Sequence, residues 1–259
     1  MRKISRPGFV LPLLTLCAIV PLTAGGPQQK ERSAASMPPA RQLIDRHIKE
    51  IGGREAIMAQ VSSHVTGTVT MPAAGLTGTL EGFHAKPNKS LQRITLPGIG
   101  QMEEGFDGKV GWSMSPLTGP TLLDGKQLEQ RNFDSDFFEE LKSPDRYTSM
   151  QTVERLMFEG RDVYKVRLVK RNGEEDVELY DVQTGLKAGA IQMRETQMGP
   201  MQGTTVISDY KKFGPLLQPT SVKVNVMMTQ MVMTIATVEY GKVDPAVFTP
   251  PAPIQALIK

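Results

Sequence analysis

The first regular pattern of apolar and polar positions predicts an amphipathic helix at residues 40–53. This segment reads ARQLIDRHIKEIGG, and its apolar residues recur every three or four positions with charged residues between them. That spacing puts Leu43, Ile44, His47 and Ile48 on one helical face, which must be buried against another element. The Gly52-Gly53 pair predicts the end of the helix, and residues 54–60 are expected to add a short second helix.

From Val61 onward the pattern changes to runs of strand length separated by turn residues. About eleven or twelve such runs follow, and Asp107-Gly108 and Asn172-Gly173 are typical two-residue hairpin turns. Short turns leave no room for parallel crossovers, so we expect a meandering antiparallel sheet. A sheet of this size curls strongly. The predicted fold is therefore mainly β, a large curved antiparallel sheet that forms an incomplete barrel.

Residues 124–142 interrupt the strands and predict a short helical insertion over the sheet. Asp134 or Ser135 is expected to cap a helix that carries Phe137, Phe138 and Leu141, and Pro144 is expected to end it. This insertion and the N-terminal helix are the elements available to cover the concave face.

The beginning of the chain resembles a secretory leader. Three basic residues precede an apolar run from Phe9 to Val20, and small residues follow near position 25. The predicted organisation is a signal peptide at 1–25, a linker at 26–39, a single β domain at 40–250 and a tail at 251–259. The run is short for a spanning helix; an uncleaved anchor and a lipid-modified Cys17 remain as alternatives.

Composition argues against a nucleic-acid partner. Residues 1–24 carry three basic residues and no acidic one, so the remaining chain has equal numbers of basic and acidic residues. Cys17 is the sole cysteine, and its loss with the leader would suit an oxidising compartment. We therefore expect a protein that is secreted across the inner membrane and is periplasmic or associated with the envelope.

Catalytic signatures are absent from the sequence. It contains neither a phosphate-binding glycine loop between a strand and a helix nor a G-x-S-x-G elbow. The acidic pairs Glu139-Glu140 and Glu174-Glu175 do not have the spacing of carboxylates that share a proton. No catalytic residue and no cofactor is predicted.

The strand register decides whether His64 and His84 lie on one face of the sheet, where they could bind one metal ion together. If Val65 pairs with Gly82 and Val69 with Gly78, apolar and small residues stay together, and His64 and His84 point to opposite faces. This register predicts no metal site. His47, on the apolar face of the first helix, is expected to be a hydrogen-bonded core residue.

Methionine is unusually frequent, with fifteen residues. Strand alternation puts Met231, Met233 and Ile235 on one face, and Val222, Val224 and Val226 on one face of the preceding strand. Flexible thioether side chains suit a deformable apolar wall that holds a ligand. Ordinary core packing and Cu(I) binding are the alternatives.

Several segments together resemble the LolA-like superfamily, which includes outer-membrane lipoprotein-sorting proteins. They are the helix ending in Gly-Gly, GFDGKVGW followed by SPLTG, YDVQTGL, and SDYKKFGPLLQPTSVKV. The similarity covers residues 40–250. It implies an incomplete barrel around an apolar cavity, helices as a lid, acyl chains of lipoproteins as cargo, and no catalytic residues. The methionine-rich strands depart from the dedicated carriers.

The sequence thus predicts a secreted, non-enzymatic envelope protein that binds lipid or lipoprotein acyl chains on the concave face of the sheet. An envelope protein is a possible further partner. Two alternatives are a scaffold module with a filled core and no ligand, and a hydrolase. The candidate cavity or lid residues, for which plain packing is the alternative role, are Trp112, Phe137, Phe138, Met231 and Met233.

Overall fold

The computed structural model describes residues 37–196, 199–227, 229–241 and 243–258. The predicted signal peptide and most of the predicted linker, up to residue 36, lie outside the described residues. Of the linker, the described part includes Pro38, whose carbonyl accepts a 2.6 Å hydrogen bond from the Thr152 hydroxyl. Among the described residues, no helix is both long enough and apolar enough to cross a membrane.

Four α-helices and thirteen strands make up the described chain. The helices are α1 (Ala40–Glu50), α2 (Arg54–Met58), α3 (Gly125–Asp134) and α4 (Ala252–Gln255). The strands are β1 (Ser62–Met71), β2 (Leu76–Ala85), β3 (Lys89–Leu96), β4 (Gly100–Phe106), β5 (Gly111–Ser115), β6 (Gly119–Leu122), β7 (Tyr147–Phe158), β8 (Arg161–Lys170), β9 (Glu175–Asp181), β10 (Lys187–Thr196), β11 (Gly199–Phe213), β12 (Leu216–Val226) and β13 (Thr229–Tyr240).

All thirteen strands join one antiparallel sheet, which confirms the predicted fold class. The strand that the sequence pattern did not reveal is β6, a four-residue edge strand that contains Pro120. Proline is tolerated at a sheet edge because its missing N–H need not pair there. In the sequence, the prolines and glycines around this strand resemble a turn.

The expected simple meander is wrong at one point. The order of strands is β6-β5-β4-β3-β2-β1-β13-β12-β11-β10-β9-β8-β7, so the first strand pairs with the last. We call β1–β6 the first half-sheet and β7–β13 the second. Their outer strands, β6 and β7, are the two free edges, and residues 123–146 connect one edge to the other.

Contacts across the concave face show how strongly the sheet bends. Strands β3 and β13 are three places apart in the order, which would separate them by about 14 Å in a flat sheet. Yet the side-chain amide of Gln92 lies 4.0 Å from the Met233 sulfur. Two glycines bring neighbouring strands close: a Cβ on Gly67 would lie 2.2 Å from the Thr234 carbonyl oxygen, and one on Gly78 would lie 2.0 Å from the Thr95 carbonyl oxygen.

The mid-chain insertion contains a helix, but not at the predicted residues. Helix α3 ends at Asp134, where the sequence pattern placed a beginning, and Glu139–Leu141 forms only a short 3-10 turn. The cause is local hydrogen bonding: the Asp136 carboxylate accepts from the Phe138 N–H at 3.0 Å, and the Phe137 N–H donates to the Pro87 carbonyl at 3.0 Å. Such bonds compete with helix formation.

The main core lies between α1 and the second half-sheet. The predicted apolar face of α1 is buried, and it packs with residues of β8, β9 and β12 such as Val166, Tyr180 and Leu216. His47 is 2% exposed, which confirms its prediction as a core residue. The predicted second helix is also present as α2, and its Ile57 joins the same core.

A second core lies on the opposite, convex face of the first half-sheet. Leu91 and Trp112 are packed there beneath Phe248 and Ile254, and all four are almost fully buried. The segment 243–258 therefore covers this face, and the residues beyond 250, predicted as a tail, contribute α4 to the packing.

We expect Ile254→Ala to destabilise the protein by about 2–4 kcal/mol, because it leaves a cavity in the convex-face core. Urea unfolding measures the free energy, and the fluorescence of Trp112 should shift to longer wavelength as α4 loosens. Leu257→Ala is the matched control, since Leu257 is 42% exposed in the same segment. Equal stability of the two variants would contradict the packing described here.

Candidate functional site

Two cavities lie on the concave side of the sheet. The first, of about 340 Å³, lies between the ends of α1 and α2 and strands β1, β2, β12 and β13. The second, of about 860 Å³, lies beneath α3 and between the two half-sheets. We call them the helix-side cavity and the α3-side cavity. Asp134 lines both, so they are adjacent parts of one concave region.

A continuous apolar stripe links the two cavities. Val222 pairs with Met233, Val224 with Met231, and Val226 with Thr229; paired residues project to the same side of a sheet. Val222 and Ile235 line the helix-side cavity, and Val226 and Met231 line the α3-side cavity. The predicted facing of these two strands is therefore confirmed, and we call the six residues the strand stripe: Val222, Val224, Val226, Met231, Met233 and Ile235.

His84 contributes a polar group to the helix-side cavity. Among the described residues its imidazole has no hydrogen-bond or ion-pair partner. His84 is exposed at the cavity surface. Desolvation by the surrounding protein, reinforced by the positive charge of Arg131, lowers the pKa of His84 to about 4, so the ring is uncharged at neutral pH. The surface of the cavity therefore includes one neutral imidazole.

The predicted register between β1 and β2 is correct. Val65 pairs with Gly82, Val69 with Gly78, and His64 with Phe83, so His64 and His84 point to opposite faces. His64 stacks on Phe83 with ring centroids 4.4 Å apart and accepts or donates a 3.0 Å hydrogen bond with Glu81. The described part of the chain contains no group of side chains that could hold a metal ion.

The other side of the concave region is filled by a charge cluster beneath α1, in which every member is buried except the partly exposed Glu140. We define the cluster as His47, Glu140, Lys142, Glu178 and Lys187. The Lys187 ammonium contacts Glu140 at 2.8 Å and Glu178 at 3.2 Å, and Lys142 contacts Glu178 at 3.1 Å. The His47 Nδ1 accepts from the Lys187 N–H at 3.2 Å, so the ring proton lies on Nε2 and is donated to Glu140.

Mutual attraction keeps the carboxylates and ammonium groups of this cluster ionised. Burial acts to raise the pKa of Glu178, but the Lys142 and Lys187 ammonium groups outweigh it and lower that pKa to about 2. Desolvation likewise acts to raise the pKa of Glu140. Lys187 and His47 outweigh it, and the pKa of Glu140 falls well below its ordinary value. Burial also opposes the charge of Lys187, yet Glu140 and Glu178 raise its pKa well above normal. The cluster ties α1 and the 139–142 segment to β9 and β10.

Polar contacts connect helix α3 to both half-sheets. Arg131 pairs with Glu104 of the first half-sheet, and Asp134 pairs with Arg194 of the second. Gln130 donates to the Met193 carbonyl at 2.8 Å and accepts from the Glu195 N–H at 2.9 Å. No residue of α3 is buried. Its Phe133 packs against the core around α1, and the rest of the helix covers the α3-side cavity.

The predicted site residues lie in different places. Phe137 lines the helix-side cavity, and Met231 lines the α3-side cavity. Met233 lies between them on the strand stripe. Phe138 packs against the core around α1, with its ring centroid 5.3 Å from that of Phe137.

The placement of Trp112 differs from the expected cavity or lid position. It is fully buried in the convex-face core, where its ring lies against Gly105 and its Nε1–H donates to Glu103 at 3.0 Å. Gly105 follows Glu104, which lines the α3-side cavity, and successive strand residues face opposite sides. Trp112 is therefore behind the cavity wall.

Sequence reasoning missed the charge cluster and the ion pairs of α3. Glu178 and Lys187 occur on neighbouring strands whose patterns give no sign that a charge is buried, and their other partners, Lys142 and Glu140, come from the segment that connects the half-sheets. One available signal was the alternation in EDVELYD, which puts Glu178 and Tyr180 on one face. These two residues are in fact hydrogen-bonded at 2.5 Å.

We expect Glu178→Gln to destabilise the protein by about 3 kcal/mol, because it leaves two buried ammonium groups short of a counter-charge. Thermal or urea unfolding measures the change. Since the pKa of Glu178 is lowered in the fold, its contribution is complete above about pH 4.5 and is lost as the pH falls toward 2. The variant should therefore show a weaker dependence of stability on pH in that range.

Glu175→Gln is the matched control on the same strand. Glu175 forms an exposed pair with Arg167, so its loss should leave the melting temperature almost unchanged. If both variants were equally stable, the charge cluster would not support the fold.

We also expect the His84 ring to titrate near pH 4, measured by NMR of the ring protons. In urea the same ring should titrate near its ordinary value of 6.5. Because the neutral form is favoured in the fold, stability should decline as the pH falls from about 6.5 toward 4. A folded-state pKa near 6.5 would show that water fully solvates the imidazole.

Comparison with known proteins identifies the fold. No protein-family model matches the sequence, and no curated protein sequence matches it. A DUF1329 family protein from Desulfovibrio piger has a similar structure, with a TM-score of 0.56, 13% identity, and coverage of 82% of this chain and 98% of that one.

Two further solved structures are similar. A LolA superfamily protein from Nitrosomonas europaea has a TM-score of 0.54 and 14% identity, and the match covers 83% of this chain and 99% of that one. A putative outer membrane lipoprotein-sorting protein domain from Vibrio parahaemolyticus has a TM-score of 0.51 and 12% identity, with coverage of 80% and 95%. These matches cover most of this chain and nearly all of each solved structure, and the protein shares its fold with these three proteins.

Proposed function

We propose that this protein is a secreted, envelope-associated carrier that shelters an acyl chain of a lipid or lipoprotein on the concave face of its sheet. The observation that carries the proposal is the pair of adjacent cavities joined by the strand stripe. The LolA-like fold supports it, since one protein that shares this fold is the putative outer membrane lipoprotein-sorting protein domain from Vibrio parahaemolyticus.

The size of the cavities suits a ligand of this kind. Volumes of about 340 and 860 Å³ fall within the range of roughly 300–1,000 Å³ that is typical of small-molecule pockets. Transfer of a hydrocarbon chain from water to such a wall gains about 0.8 kcal/mol per CH₂ group. Sequestration of an acyl chain therefore needs no reaction and no cofactor.

The proposed contact residues follow from their positions. Met231 and Met233 form the flexible part of the strand stripe, and Phe137 faces the same region from the 134–140 segment. Phe138 supports that segment from the core around α1. Trp112 has no place among the ligand contacts, since it lies on the other face of the sheet; it secures the wall from behind.

The scaffold alternative accounts for only half of the concave face. Helix α1 and the charge cluster fill the region over β7–β10, as a scaffold with a solid core would require. Over β1, β2, β12 and β13 the concave face borders cavities instead. The carrier proposal explains why one side is filled and the other is open.

A non-enzymatic role is part of the proposal. Among the described residues that line the helix-side cavity, Asp134 and Glu140 are held in ion pairs with Arg194 and Lys187. His84 has no partner that could activate it as a base. A hydrolase would instead require activity on an ester panel that is lost when His84 alone is replaced.

Native mass spectrometry of protein purified from the periplasm tests the carrier proposal. We expect additional mass that corresponds to bound lipid and that disappears on denaturation. Protein that is secreted, folded and free of any added mass would favour the scaffold alternative.

Variants of the strand stripe test where the ligand lies. Met231→Asp and Met233→Asp should each weaken the binding of a fluorescent fatty acid at least tenfold, because a carboxylate must then be desolvated beside the acyl chain. Met193→Asp is the control: Met193 is 44% exposed and precedes Arg194, which lines the α3-side cavity, so it faces away. Unchanged affinity in both stripe variants would contradict a ligand on this wall.

A further inference from the structure

Six hairpin turns lie at one end of the sheet. In an antiparallel sheet alternate turns share an end, and the pairing places the β1–β2, β3–β4, β5–β6, β8–β9, β10–β11 and β12–β13 turns together. We call this the tip end. It is opposite the end at which α1 meets β12 through the hydrogen bond from the Leu217 N–H to the Ile51 carbonyl.

Five of the six turns at the tip end carry no charged residue. Residues 71–76, 96–100, 115–119, 196–201 and 226–229 read MPAAGL, LPGIG, SPLTG, TQMGPM and VMMT. Turns at the opposite end contain or adjoin charged residues: Lys86, Asp107, Glu159, Asp181 and Lys212. At the tip end, charge is confined to the β8–β9 turn and to Glu195 beside the β10–β11 turn.

Exposure of apolar side chains follows the same division. Leu117, in the β5–β6 turn, is 81% exposed, and Met227, in the β12–β13 turn, is 78% exposed. Among the described residues they are the two most exposed large apolar side chains. Pro72, Ala73, Ala74 and Pro97 are exposed beside them. Nothing in the described fold covers these residues.

One charged turn, 171–174, joins β8 to β9 at the same end, and its base lies below the end of β10. Asp176 of β9 pairs with Gln192 of β10, so Glu175, the first residue of β9, lies level with Met193, and β10 continues three residues further, to Thr196. Glu174, whose carbonyl accepts from the Lys170 N–H at 2.8 Å, lies about two residues, or roughly 7 Å, below Thr196. The end of β10 therefore lies beyond the base of the charged turn.

The α3-side cavity borders the tip end. Val226 and Thr196 are the last residues of β12 and β10, Ser113 is two residues from the end of β5, and all three line this cavity. From there the strand stripe leads inward to the helix-side cavity. An apolar path thus begins among the uncharged turns.

We propose that the tip end docks on the surface of a lipid bilayer, with Leu117 and Met227 inserted among the lipid headgroups. Uncharged turns can enter this region without the cost of desolvating a charge, and each buried apolar side chain adds favourable transfer energy. This docking goes beyond the carrier proposal, since a protein could rest on a membrane whether or not it carries an acyl chain.

The absence of charge favours a lipid surface over a protein partner. Protein interfaces use complementary charges at the rim to fix orientation and exclude wrong partners, and these five turns offer none. For the same reason the expected lipid surface is electrically neutral, and the binding is expected to be insensitive to salt.

Flotation with vesicles of pure phosphatidylcholine tests the docking with the mature chain. We expect the protein to float with the vesicles equally at low salt and in 0.5 M NaCl. Leu117→Asp and Met227→Asp should each reduce the partition coefficient about tenfold or more. Both positions are exposed, so folding should be unaffected. Asp also suits position 227, where φ is 52°, because it tolerates this left-handed conformation better than most residues.

Met157→Asp is the matched control. Met157 is also strongly exposed, at 65%, but it lies next to the β7–β8 turn at the opposite end of the sheet. The Met157→Asp variant should float with the vesicles to the same extent as the unchanged protein. Circular dichroism of all three variants verifies that the fold is retained.

Three outcomes would overturn the docking proposal. The protein could fail to float with neutral vesicles, the control could lose binding as strongly as the tip variants, or Met227→Asp could convert a dimer to a monomer, which would assign the tip end to a second copy of the chain. Lipid mass bound in native spectrometry together with no flotation would reject the docking alone and leave the carrier proposal intact.

Discussion

The pairing of the first strand with the last is the constraint on which the rest of the structure depends. It joins two half-sheets into one continuous surface and leaves β6 and β7 as free edges. The chain must then travel from one edge to the other, and it does so through α3 and the 134–146 segment. The cover over the concave face is thus a direct consequence of the strand order, since the connection between the half-sheets has to cross the opening.

The two sides of the concave face have different chemistry because they are covered by different elements. Helix α1 contributes an apolar face and His47, and it packs on the second half-sheet. The charge cluster lies beneath it, and its members pair with one another. Helix α3 has no buried residue, and Arg131 and Asp134 in its last turn each pair with a different half-sheet. Helix α1 thus belongs to a packed core, whereas α3, held by these ion pairs and by Phe133, leaves the α3-side cavity beneath it.

Local patterns in the sequence were sufficient for the framework of the fold. Periodicity located α1, turn residues located twelve of the strands, and the matching of apolar faces gave the correct β1–β2 register, including the opposed histidines. The strand stripe also followed from alternation alone. These features depend on neighbours that are close in sequence or on one hairpin, and so a single sequence contains the information.

What could not be predicted depends on long-range contacts. The β1–β13 pairing has no local signal, and the partners of Lys187 are 47 and 9 residues away, in Glu140 and Glu178. Trp112 was assigned to the cavity because large aromatic residues commonly line apolar pockets; only the position of the C-terminal segment shows that it faces the other way. Phe137 lines the helix-side cavity. The helix predicted at this position is replaced by a turn that the Asp136 carboxylate stabilises.

At Gly67, Gly78 and Gly189 a carbonyl oxygen of the neighbouring strand occupies the space that a Cβ would need. A side chain at any of the three positions would force the two strands apart. The close approach of these strands therefore depends on backbone positions alone. Substitutions among the valines and methionines of the strand stripe would leave all three contacts in place, so the side chains of the wall can be replaced with less disturbance of the sheet than the glycines can.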